Sequence, residues 1–276
     1  MSLFFCSLNS GSNGNCYYVG NHSDAVLVDI GLSCKETELR LQRLGLTAER
    51  IRGIFISHEH IDHIKGVQVF AKRYQIPVYC NPATLRHSGL KVPEHLLRLL
   101  HDESPVELGN LRIYPFAKQH DAAEPISFTI EFSGARVAVI TDIGHVCKNV
   151  LQHFSNCHAA ILEANYEEEM LFNGHYPAAL KKRISGKKGH LSNADALELF
   201  VKHRSPTMSH LVLAHLSKEN NHPELLRQHF AAFTDTITFD IASRYEESKL
   251  YELSLPVKAL PILTKKVNKQ VQLSLF

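Results

Sequence analysis

The sequence predicts an α/β (α+β) fold of two sheets covered by outer helices, a four-layer αββα sandwich. Three observations carry this expectation. Several apolar runs are short enough to be strands yet apolar throughout, as strands buried on both faces are. The order of strands first, then mixed strands and helices, occurs twice along the chain. The 276 residues, 44% hydrophobic and 21% charged, are ordinary for a globular chain and suit one large domain.

Met1–Cys6 is apolar but short and lacks a basic segment, so it reads as a first strand and not as a signal peptide. Cys16–Val19 and Ala25–Asp29 are strands separated by the turn residues Gly20-Asn21. Cys34–Leu44 has helical spacing and ends at Gly45. Gly53–Ser57 is a buried strand, Ile64–Tyr74 a helix stopped before Pro77, and Val78–Cys80 a short strand. Helical and irregular pieces fill Pro82–His101. Leu111–Phe116, Ile126–Phe132 and Arg136–Ile140 follow as strands, the last two joined by a Ser133-Gly134 hairpin. Val146–Phe154 is helical and Ala159–Leu162 a buried strand. Helices are expected over about 167–184 and 193–203, a strand at His210–Ala214 and a helix at Pro223–Phe233. The pair Thr236–Phe239 and Lys249–Leu253 closes the domain. Residues 1–255 thus form one domain, and 256–276, with four lysines and two prolines, a C-terminal tail.

A formal net charge of +2 gives no global reason for a nucleic-acid partner. No apolar run reaches membrane-spanning length. The six cysteines are scattered without a CxxC pair, which fits reduced thiols in the cytoplasm. The unusual count is 18 histidines, several beside Asp and Gly at strand ends.

The most informative stretch is His58-Glu59-His60-Ile61-Asp62-His63, between an apolar strand and a helix. Imidazole and carboxylate are the natural ligands of zinc and similar metals. A loop at a strand's end aims the alternate residues His58 and His60 at one ion. The following helical turn points Asp62 and His63 at another. The zincin pattern HExxH is excluded, because position 62 is Asp.

This stretch resembles the HxHxDH hallmark of the metallo-β-lactamase superfamily. The resemblance extends to His120 on a later loop, Asp142 after a strand and His215 after a late strand. It implies two divalent ions, with zinc the first choice and manganese or iron also suited to these donors. One would be held by His58, His60, His120 and Asp142, the other by Asp62, His63, His215 and Asp142. Asp142 would bridge ions ~3.5–4 Å apart, with Asp62 orienting the attacking hydroxide and taking its proton.

The superfamily hosts lactamases, thioesterases, glyoxalases and nucleases, so local features must choose among them. Glu163 and His190 resemble the acid and the histidine that serve the leaving group in the ribonuclease Z branch. Ser192 or Asn193 would also suit a helix N-cap, and a helix start offers N–H groups to a phosphate. Lys181, Lys182, Arg183, Lys187 and Lys188 precede His190 and could hold a polyanion. The loop Ser10–Asn15, the Asp121–Ile126 segment, Leu171–Pro177 and His215–Asn221 complete a match to the small bacterial YycJ/WalJ-like group. That group is assigned double-stranded DNA 5′–3′ exonuclease activity, and the chain has no room for the β-CASP insertion of larger nucleases. The resemblance implies a DNA exonuclease of replication or repair, with Ser12, Asn13, Asn15, Lys187, Lys188, Ser192 and Asn193 as substrate contacts. The competing readings are a ribonuclease Z-like RNA nuclease, a glyoxalase II-like thioesterase, and a non-catalytic scaffold. The scaffold requires a lost ligand, and every ligand position is filled.

Gln272-Leu273-Ser274-Leu275-Phe276 resembles the short peptide by which bacterial proteins bind the replication sliding clamp. An apolar anchor on a polar tether is how such recognition peptides work.

Overall fold

A computed structural model of the chain describes residues 2–101 and 103–255. The tail, with the expected clamp peptide Gln272–Phe276, lies outside the described residues. The first sheet contains β1 (Ser2–Asn9), β2 (Cys16–Gly20), β3 (Ala25–Val28), β4 (Ile51–Phe55), β5 (Val78–Cys80) and β6 (Leu97–Leu99) in spatial order. The second contains β7 (Val106–Leu108), β8 (Leu111–Ala117), β9 (Ile126–Phe132), β10 (Ala135–Ile140), β11 (Ala159–Glu163), β12 (His210–Ala214) and β13 (Thr238–Ile241). β14 (Tyr251–Ser254) returns to the first sheet and pairs with β1. Each sheet begins antiparallel and becomes parallel, from β3 onward in the first and from β10 onward in the second.

Strand alternation divides the apolar residues among three layers of core. Val26, Val28, Val137 and Val139 point between the sheets with Phe5, Phe55 and Phe128. Their neighbours Leu27, Ala138 and Ile140 point outward, to helices on either side. Every residue of such a strand is therefore buried, which is why the runs read as apolar throughout. Phe55 stacks on Tyr79 at 4.5 Å and meets Phe128 edge-on at 5.5 Å, tying the sheets together. The αββα expectation is met.

Four local expectations differ. The helix expected over Ile64–Tyr74 is two helices, Ile61–Ile64 and Val67–Tyr74. Gly66 lies between them, so close to the Leu32 carbonyl that a Cβ would sit 2.1 Å from it. The helix over 167–184 is also two, Glu168–Asn173 and Ala178–Ile184, separated by Gly174 and by Pro177, which lacks an N–H. The expected closing pair is no pair: β13 borders the second sheet and β14 the first. β6 and β7 were not anticipated; each is three residues long, and among the described residues β6 pairs with β5 and β7 with β8. The Ser133-Gly134 hairpin is as expected, with both residues at positive φ.

Candidate metal centre

The site lies where the parallel strands of both sheets end, the usual place for function in open α/β sheets. Asp29 follows β3, His58 lies just beyond β4, Asp142 beyond β10, Glu163 ends β11 and His215 follows β12. Asp29, Asp142 and His215 have φ of 60°, 54° and 56°, a left-handed backbone uncommon for these residues. Ser10 holds one of these turns, because its Oγ accepts the His215 N–H at 2.7 Å. Buried Lys118 supports another, donating from Nζ to the Thr141 carbonyl at 2.7 Å.

Four inward imidazoles share one arrangement. The Nδ1 of His63 donates to Asp29 at 2.7 Å, that of His120 to the Gly189 carbonyl at 2.9 Å, and that of His215 to Glu163 at 3.1 Å. Ser57 Oγ donates to Asp29 and accepts from His58 Nδ1 at 2.8 Å. With Nδ1 engaged in this way, Nε2 is the nitrogen each ring offers to a metal. His58 Nε2 lies 3.1 Å from His60 Nδ1.

The donors form overlapping groups, each with its ligand atoms within 4.8 Å of one another. One is His58, His60 and His120; another is Asp62, His63 and His215. Asp142 joins His58 and His63, one residue from each, in a third. Its Oδ2 is 3.3 Å from His63 Nε2, and its Oδ1 is 3.3 Å from His215 Nδ1 and 3.9 Å from His120 Nε2. Asp142 Oδ2 and His215 Nε2 are buried with no hydrogen-bond partner among the described residues. Buried polar atoms are normally satisfied, and divalent cations would satisfy both of these. The donor set and the orphaned atoms therefore fit a metal centre.

The electrostatics agree. Burial opposes charge on His63, yet Asp142 and Asp29 outweigh it and hold its pKa up at about 10. Burial pushes His58 well down and takes His120 to about 4. Burial would raise the Asp142 pKa, but His215 and His63 overcome it and hold the carboxyl well below its ordinary range. A carboxylate kept ionised among buried imidazoles is a donor set that a cation would complete.

The Glu163 carboxylate also accepts from His190 Nδ1 at 2.7 Å and from the Ile143 N–H at 2.6 Å. His190 lies beside the others, its ring 5.1 Å from His120 and 5.2 Å from His215. Burial opposes the charges of this pair as well. Each partner still holds the other charged, with His190 raised and Glu163 lowered. A cleft of 230 Å³ opens here, with Ser12, Tyr176, Arg183 and Ser217 among its walls.

A β-lactamase superfamily domain model matches residues 24–216. Exodeoxyribonuclease YycJ of Bacillus anthracis is 34% identical over 249 residues, covering 89% of this chain and 94% of that protein. This chain belongs to the metallo-β-lactamase superfamily. Exodeoxyribonuclease WalJ of Streptococcus pneumoniae is also 34% identical, over 79% of this chain and 83% of its own. The metallo-β-lactamase fold protein YhfI of Bacillus subtilis superposes with a TM-score of 0.67 at 16% identity, covering 91% and 99% of the two chains. Superfamily membership and the clustered histidines and carboxylates make this chain a metal-dependent hydrolase.

Several expected substrate contacts of this superfamily member are placed elsewhere. Asn15 is fully buried, and its amide lies 3.2 Å from Asp62 Oδ2 and 3.0 Å from His63 Nε2, so it positions those side chains. Ser192 is buried as the N-cap of the helix Asn193–His203. Buried Asn193 bonds Glu167 and Asn221. Neither Ser192 nor Asn193 can reach substrate without unfolding this corner. Ser12 and Asn13 are exposed on the loop, and Lys187 and Lys188 are exposed ahead of His190. Arg183 does not extend that basic patch, because both its Nε and Nη2 lie 2.6 Å from Asp121.

Asp29 and Lys118 carry positioning roles that the sequence did not single out. An Asp ending an apolar strand was the available signal for the first. Gly31 is similar: a Cβ there would sit 1.7 Å from the Asp62 carbonyl. Asp29→Ala is expected to weaken zinc affinity by about 10–100-fold, through loss of His63 and Ser57 orientation. Titration of metal-free protein with zinc against a competing chelator measures this, and unchanged affinity would contradict the role.

Proposed function

We propose that the chain is a two-metal phosphodiesterase that removes nucleotides from DNA ends in the 5′–3′ direction, in the cytoplasm, during replication or repair. The observation that carries this reading is the Glu163–His190 pair, 2.7 Å apart beside Asp142 at the cleft. Glu163 fixes the proton on Nδ1 and leaves Nε2 to serve an oxygen leaving group. An alkoxide leaving a phosphodiester needs that proton, whereas a thiolate leaving a thioester does not. DNA as substrate follows the two similar proteins, both named exodeoxyribonucleases. The direction follows the group that the sequence resembles.

His58, His60, His120 and Asp142 would hold one ion, and Asp62, His63, His215 and Asp142 the other. Bound there, zinc, manganese or iron supplies an activated water near neutral pH and polarises a phosphoryl oxygen. Asp62, with its side chain 19% exposed, orients the attacking water and accepts its proton. His190 donates to the departing oxygen. Lys187 and Lys188, exposed ahead of His190, hold the backbone, and Ser12 meets the strand from the cleft wall with Asn13 beside it.

End-labelled single- and double-stranded DNA and RNA, incubated with the zinc- or manganese-loaded protein, test the reading. Progressive shortening of DNA from its 5′ end is expected. Asp62→Ala is expected to retain the fold and at least one metal yet lose activity by orders of magnitude. His190→Ala is expected to slow DNA cleavage more than hydrolysis of an activated aryl phosphodiester. Thioester hydrolysis without DNA cleavage would reject the proposal, as would equal losses on both esters for the role of His190.

We also propose that Gln272–Phe276 docks the enzyme on the sliding clamp. Deleting residues 272–276 is expected to abolish binding to immobilised clamp while leaving cleavage of free DNA ends intact. Unchanged binding would reject the docking role.

A further inference from the structure

The cleft at the metal centre does not stop at His215. Leu216 and Ser217 also wall a second cavity, of 590 Å³. The segment Ser243–Glu246 forms another of its walls. Three cations face it, Lys218, Arg227 and Arg244, against the carboxylates of Asp240 and Glu246. Asp240 is already engaged, accepting from Tyr251 Oη at 2.7 Å with Lys249 at 3.7 Å. Among the described residues, Arg227 and Lys218 have only loose, exposed ion-pair partners, Glu224 at 3.4 Å and Glu219 at 3.8 Å.

Arg244 stands at the junction of the two spaces. Among the described residues it has no carboxylate within ion-pair distance. Its guanidinium donates over long distances to Ser12 Oγ, 3.4 Å, and the Leu216 carbonyl, 3.3 Å. Both acceptors belong to residues lining the metal cleft. Its five donors are thus mostly free beside the centre that binds the scissile group.

Tyr245 is the second observation, independent of charge. Its side chain is 73% exposed, and no other ring or cation packs on it among the described residues. The backbone beneath it is nevertheless held from several sides. Buried Arg40 donates to the Tyr245 carbonyl at 2.9 Å, Asn13 to the Arg244 carbonyl at 2.7 Å, and the Ser10 N–H to the Ser243 carbonyl at 3.1 Å. Arg40 is itself fixed by Leu8 and Asn9. A backbone held at several points therefore presents a bare aromatic ring in the wall of a groove that carries three cations. Free π-faces beside cations are how proteins bind single strands without reading sequence.

We infer that this second cavity is the track for the nucleotides adjoining the scissile phosphate, with Arg244 on a backbone phosphate and the Tyr245 ring stacked on a base. The inference rests on the nuclease reading and extends it by naming the route of the strand. It assigns Arg244 and Tyr245 to binding, not to bond cleavage.

The metal-loaded full chain is assayed on labelled single-stranded and duplex oligonucleotides and on bis(p-nitrophenyl) phosphate, which fills the metal cleft alone. Arg244→Ala and Tyr245→Ala are each expected to raise the oligonucleotide KM roughly tenfold. The preference for oligonucleotide over the small diester falls by the same factor. Tyr245→Phe, which keeps the stacking ring, restores the wild-type KM. Arg244→Ala also flattens the salt dependence of the oligonucleotide KM by about one charge. Because the Tyr245 ring meets no other ring, its truncation isolates stacking from folding. If the wild type cleaves oligonucleotides and both alanine variants keep its KM, the track is overturned and the nuclease reading stands. A wild type that hydrolyses the small diester but no oligonucleotide overturns the nuclease reading, and the track with it.

Discussion

Asp142 carries a buried negative charge at the seam of the two sheets, within 3.3–3.9 Å of His63, His120, His190 and His215. Taking a carboxylate out of water is unfavourable unless cations or donors surround it. The imidazoles around it, however, spend their Nδ1 protons on Asp29, Gly189 and Glu163. With those protons engaged elsewhere, Asp142 Oδ2 and His215 Nε2 keep no hydrogen-bond partner among the described residues, and divalent cations would satisfy both. The sandwich exists, in functional terms, to bring the parallel ends of two sheets together around this charge.

The neighbouring structure serves that geometry. Left-handed backbone at Asp29, Asp142 and His215 turns each side chain inward as its strand ends. Such conformations persist where surrounding contacts over-determine them. Here those contacts are Ser57 on Asp29, Lys118 on Thr141 and Ser10 on His215. Gly31 removes a side chain where the Asp62 loop must come closest. Asn15 meets both Asp62 and His63, so the Gly-rich loop after β1 builds the site from beneath while Ser12 and Asn13 form its rim.

Much of this was legible in the sequence because some of it is local. His58–His63 lies in one turn, and the remaining donors follow strands that their apolar runs reveal. The supporting carboxylates were harder to see. Glu163 was linked to His190, but its second bond, to His215, depends on the alignment of β11 with β12. Asn15, Ser192 and Asn193 looked like surface contacts because polar residues near a site give no sign of burial. β13 and β14 looked like a closing pair because they are neighbours in sequence. Each instead extends a free edge of a different sheet. Arg244 and Tyr245 carried no signal at all, since their meaning comes from the cavity between two distant loops.

Anomalous diffraction from crystals grown with zinc or manganese tests the central claim most directly. The account expects two peaks ~3.5–4 Å apart with the Asp142 carboxylate between them. His58, His60 and His120 should surround one, and Asp62, His63 and His215 the other. A single peak, or peaks bound away from these side chains, would contradict it.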